Sequence, residues 1–382
     1  MEHPRGFRSA ATCAGVRDDT LDFTLVVSDA PAAAAAVFTQ SSFAGPCVVL
    51  GREHVADARL QAVLVVSKCA NVATGPAGLS AARELAAEAA RLTELRAEDV
   101  LVSATGLIGM PLPMDRLRGA LPGLVEGLAP DRLEESARAI MTTDRRPKIR
   151  GATVGDAVLV GLAKGAGMIE PDMATLLVYF FTDAEVAPQV LQEILRRAVD
   201  VSFNCVSVDG DTSTSDTVVA LANGLAGPVP PDEFERALTG LAVELARDVA
   251  RDAEGATKLI EVVVTGAPSV ADARAVARSV AGSFLVKAAV FGADPNWGRV
   301  AMAIGKSGVA GIDQERTSIS LGEFEIYRGR PLPYSEERLV EEVMRKETIP
   351  IRIDLALGGH EATAWGCDVS YETVRSNSEY AT

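Results

Sequence analysis

The stretch Lys164-Gly-Ala-Gly-Met-Ile-Glu-Pro-Asp-Met-Ala-Thr175 leads directly into the apolar run Leu176-Leu-Val-Tyr-Phe-Phe181. A glycine-containing loop thus brings one hydroxyl, that of Thr175, to the start of a predicted β-strand, immediately after the small residue Ala174. If the Ala174–Thr175 bond breaks, Thr175 gains a free α-amino group beside its own hydroxyl. An α-amine titrates at about pH 7.7–8.0, so it can act as the base that activates this hydroxyl. The stretch therefore raises the hypothesis of an autoprocessed protein with an N-terminal threonine nucleophile.

A threonine at the start of a strand also has a purely structural explanation. Its β-branched side chain suits a pleated surface, and its hydroxyl can end a turn. The local pattern alone favours this structural explanation, so autoprocessing needs support from other parts of the chain.

The overall composition indicates a globular protein that does not bind nucleic acid. The chain has 382 residues, of which 48% are hydrophobic and 23% charged, which is typical of soluble domains. Its net charge of −15 would repel a phosphate backbone. Its length allows two domains, but no Pro/Gly/Ser-rich linker separates them, which favours one composite fold.

Cysteine and histidine usage predicts neither disulfides nor a metal site. Five cysteines are scattered without a CxxC pair, and there are only three histidines. Such cysteine usage is typical of the reducing cytoplasm, where we expect this protein. The N-terminus lacks a signal-peptide pattern, and no apolar run approaches about 18 residues, so we expect no membrane span.

The order of apolar runs predicts a mixed α/β protein. Predicted strands in the first half are Phe23–Val27, Cys47–Leu50, Ala62–Ser67 and Val100–Ser103, and predicted helices are Pro76–Glu98 and Asp131–Met141. After Thr175 the predicted strands are Leu176–Phe181, Cys205–Val208, Lys258–Thr265, Thr317–Leu321, Glu323–Tyr327, Ile349–Leu355 and Glu361–Val369, and the helices are Val186–Asp200, Glu233–Ala253 and Val270–Gly282. The pattern indicates sheets covered by helices.

Two glycine motifs fail as phosphate-binding loops. Ile304-Gly-Lys-Ser307 has Val300 where the motif needs its first glycine, and Gly165-x-Gly167 has Glu170 in place of a third glycine. We interpret the first as a turn between two strands. No nucleotide cofactor is predicted.

Several short segments carry groups suited to acyl transfer. Thr105-Gly106 follows a predicted strand and can present a hydroxyl and an unshielded N–H to one point, as an oxyanion hole requires. Asp209-Gly-Asp-Thr-Ser-Thr-Ser-Asp216 lacks the residues of a calcium loop and is interpreted as a polar turn that could line a pocket. Glu254 could pair with a substrate ammonium, and Asp294-Pro-Asn-Trp-Gly-Arg299 is predicted to be a rigid turn.

Taken together and in this order, the motifs resemble those of the ornithine acetyltransferase family, the glutamate N-acetyltransferases of arginine biosynthesis. The matching segments are Thr105-Gly106, Met141-Thr-Thr-Asp144, Lys164-Gly-Ala-Gly, Met173-Ala-Thr175, Glu254-Gly, Asp294-Pro-Asn-Trp-Gly-Arg299 and Asn377-Ser-Glu-Tyr-Ala-Thr382. The resemblance implies a layered α/β sandwich of the DmpA/ArgJ-like type, related in logic to N-terminal nucleophile hydrolases. It also implies cleavage into an α-chain of residues 1–174 and a β-chain of residues 175–382, assembled as a heterotetramer.

The same resemblance assigns roles to individual residues. Thr175 would be the nucleophile, and Thr105 with Gly106 would form the oxyanion hole. Substrate contacts would come from Thr142, Lys164, Thr175, Glu254, Asn377 and Thr382. The substrates implied are N2-acetylornithine and glutamate, with acetyl-CoA as a further donor in some members. No cofactor is implied.

Two segments resemble one branch of the family more than the rest. Ser42 and the run Met168–Leu177 are closer to the homologue associated with clavulanic-acid gene clusters than to many arginine-pathway members. A role in primary metabolism and one in a secondary-metabolite cluster both remain open.

Two other functions compete with acetyl transfer. One is an autoprocessed amidohydrolase or aminopeptidase that uses water as the acceptor. The other is an uncleaved, non-catalytic amino-acid-binding protein. The matches at Glu254 and Asn377 argue against the first, and the presence of both nucleophile and oxyanion residues argues against the second.

Overall fold

A computed structural model describes residues 2–170 and 176–379 of the chain. The predicted cleavage bond Ala174–Thr175 and the predicted ligand Thr382 lie outside these residues. Within them the strands are β1 Phe7–Thr12, β2 Phe23–Phe38, β3 Arg59–Val66, β4 Val100–Ala104, β5 Lys148–Val154, β6 Ala157–Lys164, β7 Leu177–Glu185, β8 Val206–Ser207, β9 Thr217–Pro228, β10 Leu259–Ala267, β11 Ser318–Leu321, β12 Phe324–Arg328, β13 Thr348–Asp354 and β14 His360–Cys367. The helices are α1 Pro46–His54, α2 Gly75–Thr93, α3 Met114–Glu126, α4 Leu133–Ala139, α5 Pro188–Val201, α6 Pro231–Arg251, α7 Val270–Ala281, α8 Phe284–Phe291, α9 Trp297–Gly305, α10 Glu336–Leu339 and α11 Tyr371–Glu379.

The larger sheet combines strands from both halves of the chain. Its order is β4-β3-β2-β9-β7-β6-β5, with β1 also paired to β2. Strands β7 and β9, which follow residue 175, therefore lie between β2 and β6, which precede it. Strands β6 and β7 are antiparallel neighbours, and Lys164 lies opposite Leu177 across the pair.

The apolar run after Thr175 forms the central strand β7, whose two faces are both buried. Val178 and Phe180 belong to one hydrophobic core, and Tyr179 and Phe181 to another on the opposite face. A strand covered on both faces is expected to be an uninterrupted apolar run rather than an alternating one. This burial explains the composition of the segment.

Strand β2 is much longer than the predicted Phe23–Val27, because it continues through the alanine-rich segment. Its pairing with β3 is interrupted between Val27 and Ala32. Beyond this irregularity, residues from Ala33 onwards pair with β9 instead of β1. On the side away from β9, Ala36 is hydrogen-bonded to the side-chain amide of Gln192 in α5. Gln192 Nε2 donates to the Ala36 carbonyl at 3.1 Å, and Gln192 Oε1 accepts from the Ala36 N–H at 3.0 Å.

Helices lie between the two sheets and on their outer faces. The smaller sheet has the order β12-β11-β13-β10-β14-β8. Helix α6 contacts β5 and β6 of the larger sheet and also β8, β10 and β14 of the smaller one, while α7 packs on β10 and β14. Helices α2 and α3 cover the β2–β4 end of the larger sheet, and α4 packs against β1 and β2. The prediction of layered α/β sheets is confirmed.

Two local predictions were wrong. The predicted strand Cys47–Leu50 is part of helix α1, which begins with Pro46 in its first turn, a favourable position for proline. Ile304-Gly-Lys-Ser307 is not a turn between strands, because its first two residues end helix α9. The Asp294–Arg299 turn contains Asn296, whose side chain accepts from the N–H of Arg299 and caps this helix.

Several other predicted elements were confirmed with shifted ends. Helices α2, α4, α5, α6 and α7 occur where the sequence predicted them, as do β3, β4, β10 and the four strands β11–β14. Among the described helices, none combines the length and apolar character needed to span a bilayer.

Candidate active site

One cavity of about 470 Å³ collects most of the residues predicted to be functional. Those lining it are Thr105, Gly106, Thr142, Lys164, Glu254 and Asn377. They come from the end of β4, the segment after α4, the end of β6, the segment after α6, and α11. The remaining predicted residues, Ala174, Thr175 and Thr382, lie outside the described part of the chain.

Gly106 has a conformation that requires glycine. Its φ is +129°, and a Cβ there would lie 2.3 Å from the carbonyl carbon of Lys68. The neighbouring N–H groups are both occupied: that of Thr105 donates to Val66 O at 3.1 Å and that of Leu107 to Lys68 O at 3.4 Å. The N–H of Gly106 has no acceptor among the described residues. Such an N–H is suited to stabilise a developing oxyanion.

Lys164 is a buried cation at the edge of the cavity. Its side chain lies at the end of β6, the residue is only 2% exposed, and Nζ donates to Thr105 Oγ1 at 3.3 Å. Burial lowers the pKa of this ammonium, and the carboxylate of Asp144 opposes that effect. Lys164 therefore links the Thr105 hydroxyl to the charged groups behind the cavity wall.

A buried ion-pair network, formed by Asp144, Lys148 and Asp252, lies behind the cavity. Lys148 Nζ donates to Asp144 Oδ1 at 2.6 Å and to Asp252 Oδ2 at 2.7 Å, and all three side chains are at most 1% exposed. Asp252 also accepts from the backbone N–H of Arg145 at 3.1 Å. Each buried charge is thus paired, as its desolvation requires.

Asp144 connects this network to two parts of the cavity wall. Its carboxylate accepts from the N–H of Thr142 at 3.1 Å and from the N–H of Gly165 at 2.8 Å. Burial raises its pKa, but the ammonium groups of Lys148 and Lys164 outweigh burial and hold the pKa at about 2. Asp144 is therefore a carboxylate that fixes the position of two wall segments.

Glu254 packs against the glycine turn that follows Lys164. Its backbone N–H donates to Ala166 O at 2.9 Å. A Cβ on Gly167 would lie 2.8 Å from the Glu254 carboxyl carbon, so glycine leaves the space in which this carboxylate lies. The segment from 164 to 167 and Glu254 thus form one corner of the cavity.

Helix α11 reaches the cavity because it packs against the residue after Glu254. A Cβ on Gly255 would lie 2.2 Å from the N of Thr373, so only glycine allows this contact, and Ser370 Oγ donates to Gly255 O at 2.6 Å. Asn377, one turn further along α11, donates to Thr373 O at 2.9 Å. The contact places Asn377 at the exposed rim.

Comparison with known proteins identifies the family. Residues 8–382 match the ArgJ family. The chain belongs to the ArgJ family. It is 50% identical over 385 residues to glutamate N-acetyltransferase Oat2 of Streptomyces clavuligerus, covering 99% of this chain and 98% of the relative. It is 46% identical over 382 residues to the arginine biosynthesis bifunctional protein ArgJ 2 of Nostoc sp., again covering 99% and 98%.

A solved structure agrees with this assignment. The crystal structure of arginine biosynthesis bifunctional protein ArgJ from Bacillus halodurans matches with a TM-score of 0.50 and 41% identity. The match covers 52% of this chain and 96% of the solved chain, so the solved chain is about half as long. The predicted family, the predicted acetyltransferase class and the predicted fold class are confirmed for this ArgJ-family protein.

Sequence reasoning missed some cavity residues of this ArgJ-family chain. Lys68, on the cavity wall, donates from Nζ to Asp18 Oδ1 and Thr20 Oγ1. This hydrogen bond from Lys68 lowers the pKa of Asp18 to about 2. A lysine just after a strand and an aspartate in a polar loop give no distinctive signal in the sequence.

The polar turn after β8 does line the cavity, as the sequence analysis allowed. Asp209, Asp211, Thr212 and Thr214 are part of its wall. Asp209 accepts from the N–H groups of Met168 and Ile169. This turn therefore holds the chain that leaves the glycine segment. Among residues 2–170 and 176–379, no group of three or more His, Cys, Asp or Glu is arranged to hold a metal ion.

Proposed function

We propose that this protein transfers the acetyl group of N2-acetylornithine to glutamate through an acetyl ester on Thr175, after autoproteolysis of the Ala174–Thr175 bond. The observation that carries the proposal is the convergence of six predicted residues from five separate segments on one cavity. The relative named glutamate N-acetyltransferase supports the same activity. The proposed chains are residues 1–174 and 175–382.

Two observations support the proposed cleavage. The segment that contains Ala174 and Thr175 joins β6 to β7, which are adjacent antiparallel strands. Breaking this connection removes no strand pairing from the sheet. The solved ArgJ chain that matches half of this one is consistent with a protein that exists as two shorter chains.

The proposed reaction proceeds in two acyl-transfer steps. Thr175 Oγ attacks the acetyl carbonyl of N2-acetylornithine, and the α-amine of Thr175 takes the hydroxyl proton. As the carbon–nitrogen bond breaks, that proton passes to the departing amine of ornithine. The neutral amine of glutamate then attacks the acetyl ester and loses a proton to the Thr175 α-amine. As the ester bond breaks, that proton passes to Thr175 Oγ and restores the hydroxyl. Ping-pong kinetics follow from the covalent intermediate.

The proposed oxyanion hole consists of the Thr105 hydroxyl and the Gly106 N–H. The Lys164 ammonium donates to Thr105 Oγ1, which leaves the hydroxyl hydrogen free to point at an oxyanion. Removing one oxyanion donor costs about 10²–10³ in kcat in other acyl-transfer enzymes. No cofactor takes part in these steps.

Charge matching supports the proposed substrate contacts. Lys164 supplies a cation for the substrate α-carboxylate, and Glu254 supplies a carboxylate for the side-chain ammonium of ornithine. Thr142 and Asn377 supply neutral hydrogen-bonding groups, and Thr382 is proposed as a further contact to the substrate. These opposite charges on one cavity wall suit an amino-acid substrate.

The first experiment combines a denaturing gel, intact mass and N-terminal sequencing of the purified protein. We expect two fragments, the second beginning Thr-Leu-Leu-Val-Tyr-Phe. Incubation with N2-acetylornithine and glutamate should then give N-acetylglutamate and ornithine. A single stable band at 40.0 kDa would overturn the mechanism. Steady release of free acetate without glutamate would instead identify a hydrolase.

The proposal extends to a second donor, to assembly and to location. Acetyl-CoA is proposed as a further acetyl donor, which an assay with acetyl-CoA and glutamate alone would test.

Two α-chains and two β-chains are proposed to form a heterotetramer, and native mass spectrometry would test this assembly. A cytoplasmic location accords with the five free cysteines, which are usual in a reducing compartment. Cell fractionation would test it.

A further inference from the structure

Asp216 holds the first described residue after the proposed cleavage site. Asp216 is completely buried immediately before β9, and its Oδ1 accepts from the N–H of Leu176 at 2.9 Å. The carbonyl of Leu176 accepts from the N–H of Thr217 at 3.1 Å. Both backbone polar groups of Leu176 are therefore fixed by two consecutive residues of the neighbouring segment.

The strand ladder explains why a side chain is needed here. The parallel pairing of β7 with β9 begins at Leu177 and Thr217. The N–H of Leu176 lies just before this ladder, and the carboxyl of Asp216 serves as its acceptor. The backbone of Asp216 is itself anchored, because its carbonyl accepts from the N–H of Thr39 at 3.1 Å. The acceptor is thus held by the end of β2.

Burying a carboxyl group at this position costs free energy of desolvation. Burial raises the pKa of Asp216 well above its ordinary value, although the Leu176 N–H, the Ser213 hydroxyl and the Lys164 ammonium act in the opposite direction. Its second oxygen, Oδ2, has no partner in hydrogen-bonding geometry among the described residues. A backbone acceptor would satisfy the same N–H with a smaller desolvation cost, so a buried carboxyl is not the least costly acceptor for Leu176.

We propose that Asp216 is a positioning residue for autoproteolysis, which holds the C-terminal side of the Ala174–Thr175 bond through the N–H of Leu176. Leu176 directly follows Thr175 in the sequence, so Asp216 anchors the first described residue on the C-terminal side of that bond. The inference rests on the proposed function, because it assumes cleavage at this bond. It adds a residue that the sequence analysis treated only as part of a polar turn.

The step that Asp216 assists is an acyl shift followed by hydrolysis. Thr175 Oγ attacks the carbonyl carbon of Ala174, the Ala174–Thr175 carbon–nitrogen bond breaks, and the hydroxyl proton goes to the released amine. Water then hydrolyses the ester, leaving a carboxylate on Ala174 and restoring the Thr175 hydroxyl. Such attack needs the reacting atoms about 3–3.5 Å apart, and a misplacement of about 1 Å can cost about 100-fold in rate.

The test compares Asp216→Ala with Asp216→Asn by following the full-length band and the two fragments after synthesis of the whole chain. The alanine variant loses the acceptor, so we expect fragments to form about 100-fold more slowly than in wild type. Asparagine keeps an oxygen that can accept from Leu176, so we expect a rate within about threefold of wild type, far less than that 100-fold loss. Rescue by the conservative variant separates positioning from proton transfer.

Asp183 provides the matched control. It is a completely buried aspartate on β7 that accepts backbone N–H groups from Arg5 at 3.0 Å and Val158 at 2.7 Å. Asp183→Ala should lower the melting temperature, as Asp216→Ala does, but leave the cleavage rate of the folded protein unchanged. A general loss of stability would affect both variants alike.

Each outcome separates the inference from the proposed function. If wild type is never cleaved, the proposed function itself is wrong. If wild type is cleaved and Asp216→Ala is cleaved equally fast, only the role of Asp216 is wrong. The inference is also overturned if Asp216→Asn is as slow as the alanine variant, or if Asp183→Ala is equally slow. Should Asp216→Ala be insoluble, a slow but folded Asp216→Asn would still contradict it.

Discussion

At the turn after β4, the backbone of Lys68 lies against Gly106 so closely that no side chain fits between them. We predict that Gly106→Ala lowers kcat by about 10²–10³, because moving this residue displaces an N–H proposed to stabilise the oxyanion. Steady-state kinetics with N2-acetylornithine and glutamate would measure the loss, on protein shown by gel to be cleaved.

Gly109 offers the control for this substitution. It also has a positive φ, +87°, but a Cβ there would meet nothing within 4 Å. Gly109→Ala therefore carries a similar backbone penalty without the contact to Lys68. We expect it to retain most of the activity, and an equal loss in both variants would show that backbone strain, not the position of the Gly106 N–H, is responsible.

A second glycine sets the position of a carboxylate. A Cβ on Gly167 would lie 2.9 Å from both carboxylate oxygens of Glu254, which can move aside because they end a flexible side chain. We predict that Gly167→Ala raises the KM for N2-acetylornithine about tenfold, equivalent to about 1.4 kcal/mol, and leaves the melting temperature nearly unchanged. Gly240→Ala, in α6 with open space around it, should leave KM unchanged.

At the scale of single residues, sequence reasoning identified groups with local signals and missed groups whose partners are distant. The Thr-Gly pair at 105 and the glycine segment after Lys164 carry such signals. Asp216 does not, because its partner Leu176 lies far away in the sequence and the contact exists only once β7 and β9 pair. Asp252 is likewise paired only through folding with Lys148.

Strand β5 carries two cations, the fully buried Lys148 and the half-exposed Arg150. Substituting each in turn compares how a buried and an exposed ion pair contribute to stability. We predict that Lys148→Met lowers the free energy of unfolding by about 3–5 kcal/mol, because it removes the buried ammonium that Asp144 and Asp252 share. Asp252 then keeps only its longer ion pairs with the half-exposed Arg145 and Arg146, at 3.3 and 3.8 Å. Urea unfolding monitored by circular dichroism would measure the change.

Arg150 is the control on the same strand. It pairs with Asp248 at 2.6 Å, but its side chain is 45% exposed. An exposed ion pair contributes less than about 1 kcal/mol, so Arg150→Ala should be close to wild type. Equal losses in the two variants would show that burial of the network is not the cause.

The same network predicts how stability depends on pH. The pKa of Asp144 is about 2 in the folded protein and 3.8 for the ordinary side chain, so folding favours its charged form. Its contribution, about 2 kcal/mol, is therefore present above about pH 4 and lost as the pH falls towards 2. Without Lys148 this pKa rises, so the difference in unfolding free energy between wild type and Lys148→Met should shrink between pH 5 and pH 3.

At the scale of elements, long periodic segments were predicted well and short apolar runs were not. Helices α6 and α7 were found close to their predicted ends. The run Cys47–Leu50 has too few residues to distinguish a strand from a buried helix face, and only its position after Pro46 favoured a helix. Strand β9 was not predicted, because alanine and glycine dilute its apolar pattern.

The two halves of the molecule share one sheet, which has consequences after cleavage. Strands β7 and β9 lie between β2 and β6, so the proposed α- and β-chains are joined by backbone pairing on both sides. We predict that the two fragments elute together in size-exclusion chromatography and separate only in denaturant. Salt alone should not separate them, because the shared sheet buries apolar cores on both faces.

Elution of a fragment on its own under native conditions would contradict this prediction. The uncleaved Thr175→Ala variant is the natural reference, since it should give the same elution volume and a similar melting temperature. At this scale the sequence indicated one composite fold only through the lack of a linker. Strand order depends on which strand edges pair, and these pairings join segments distant in the sequence, so no local pattern predicts them.

The contact between Gln192 and Ala36 bears on self-association. Beyond Ala33 the alanine-rich end of β2 has a neighbouring strand, β9, on one edge only. On the other edge the Ala34 N–H donates to Ala58 O at 2.9 Å, and helix α5 packs against the strand. An open strand edge can recruit another chain, and a flat, uncharged run of small residues is poorly defended against this. The Gln192 amide forms hydrogen bonds with both the N–H and the carbonyl of Ala36, as a neighbouring strand would. We therefore expect Gln192 to help keep this strand edge from pairing with another chain.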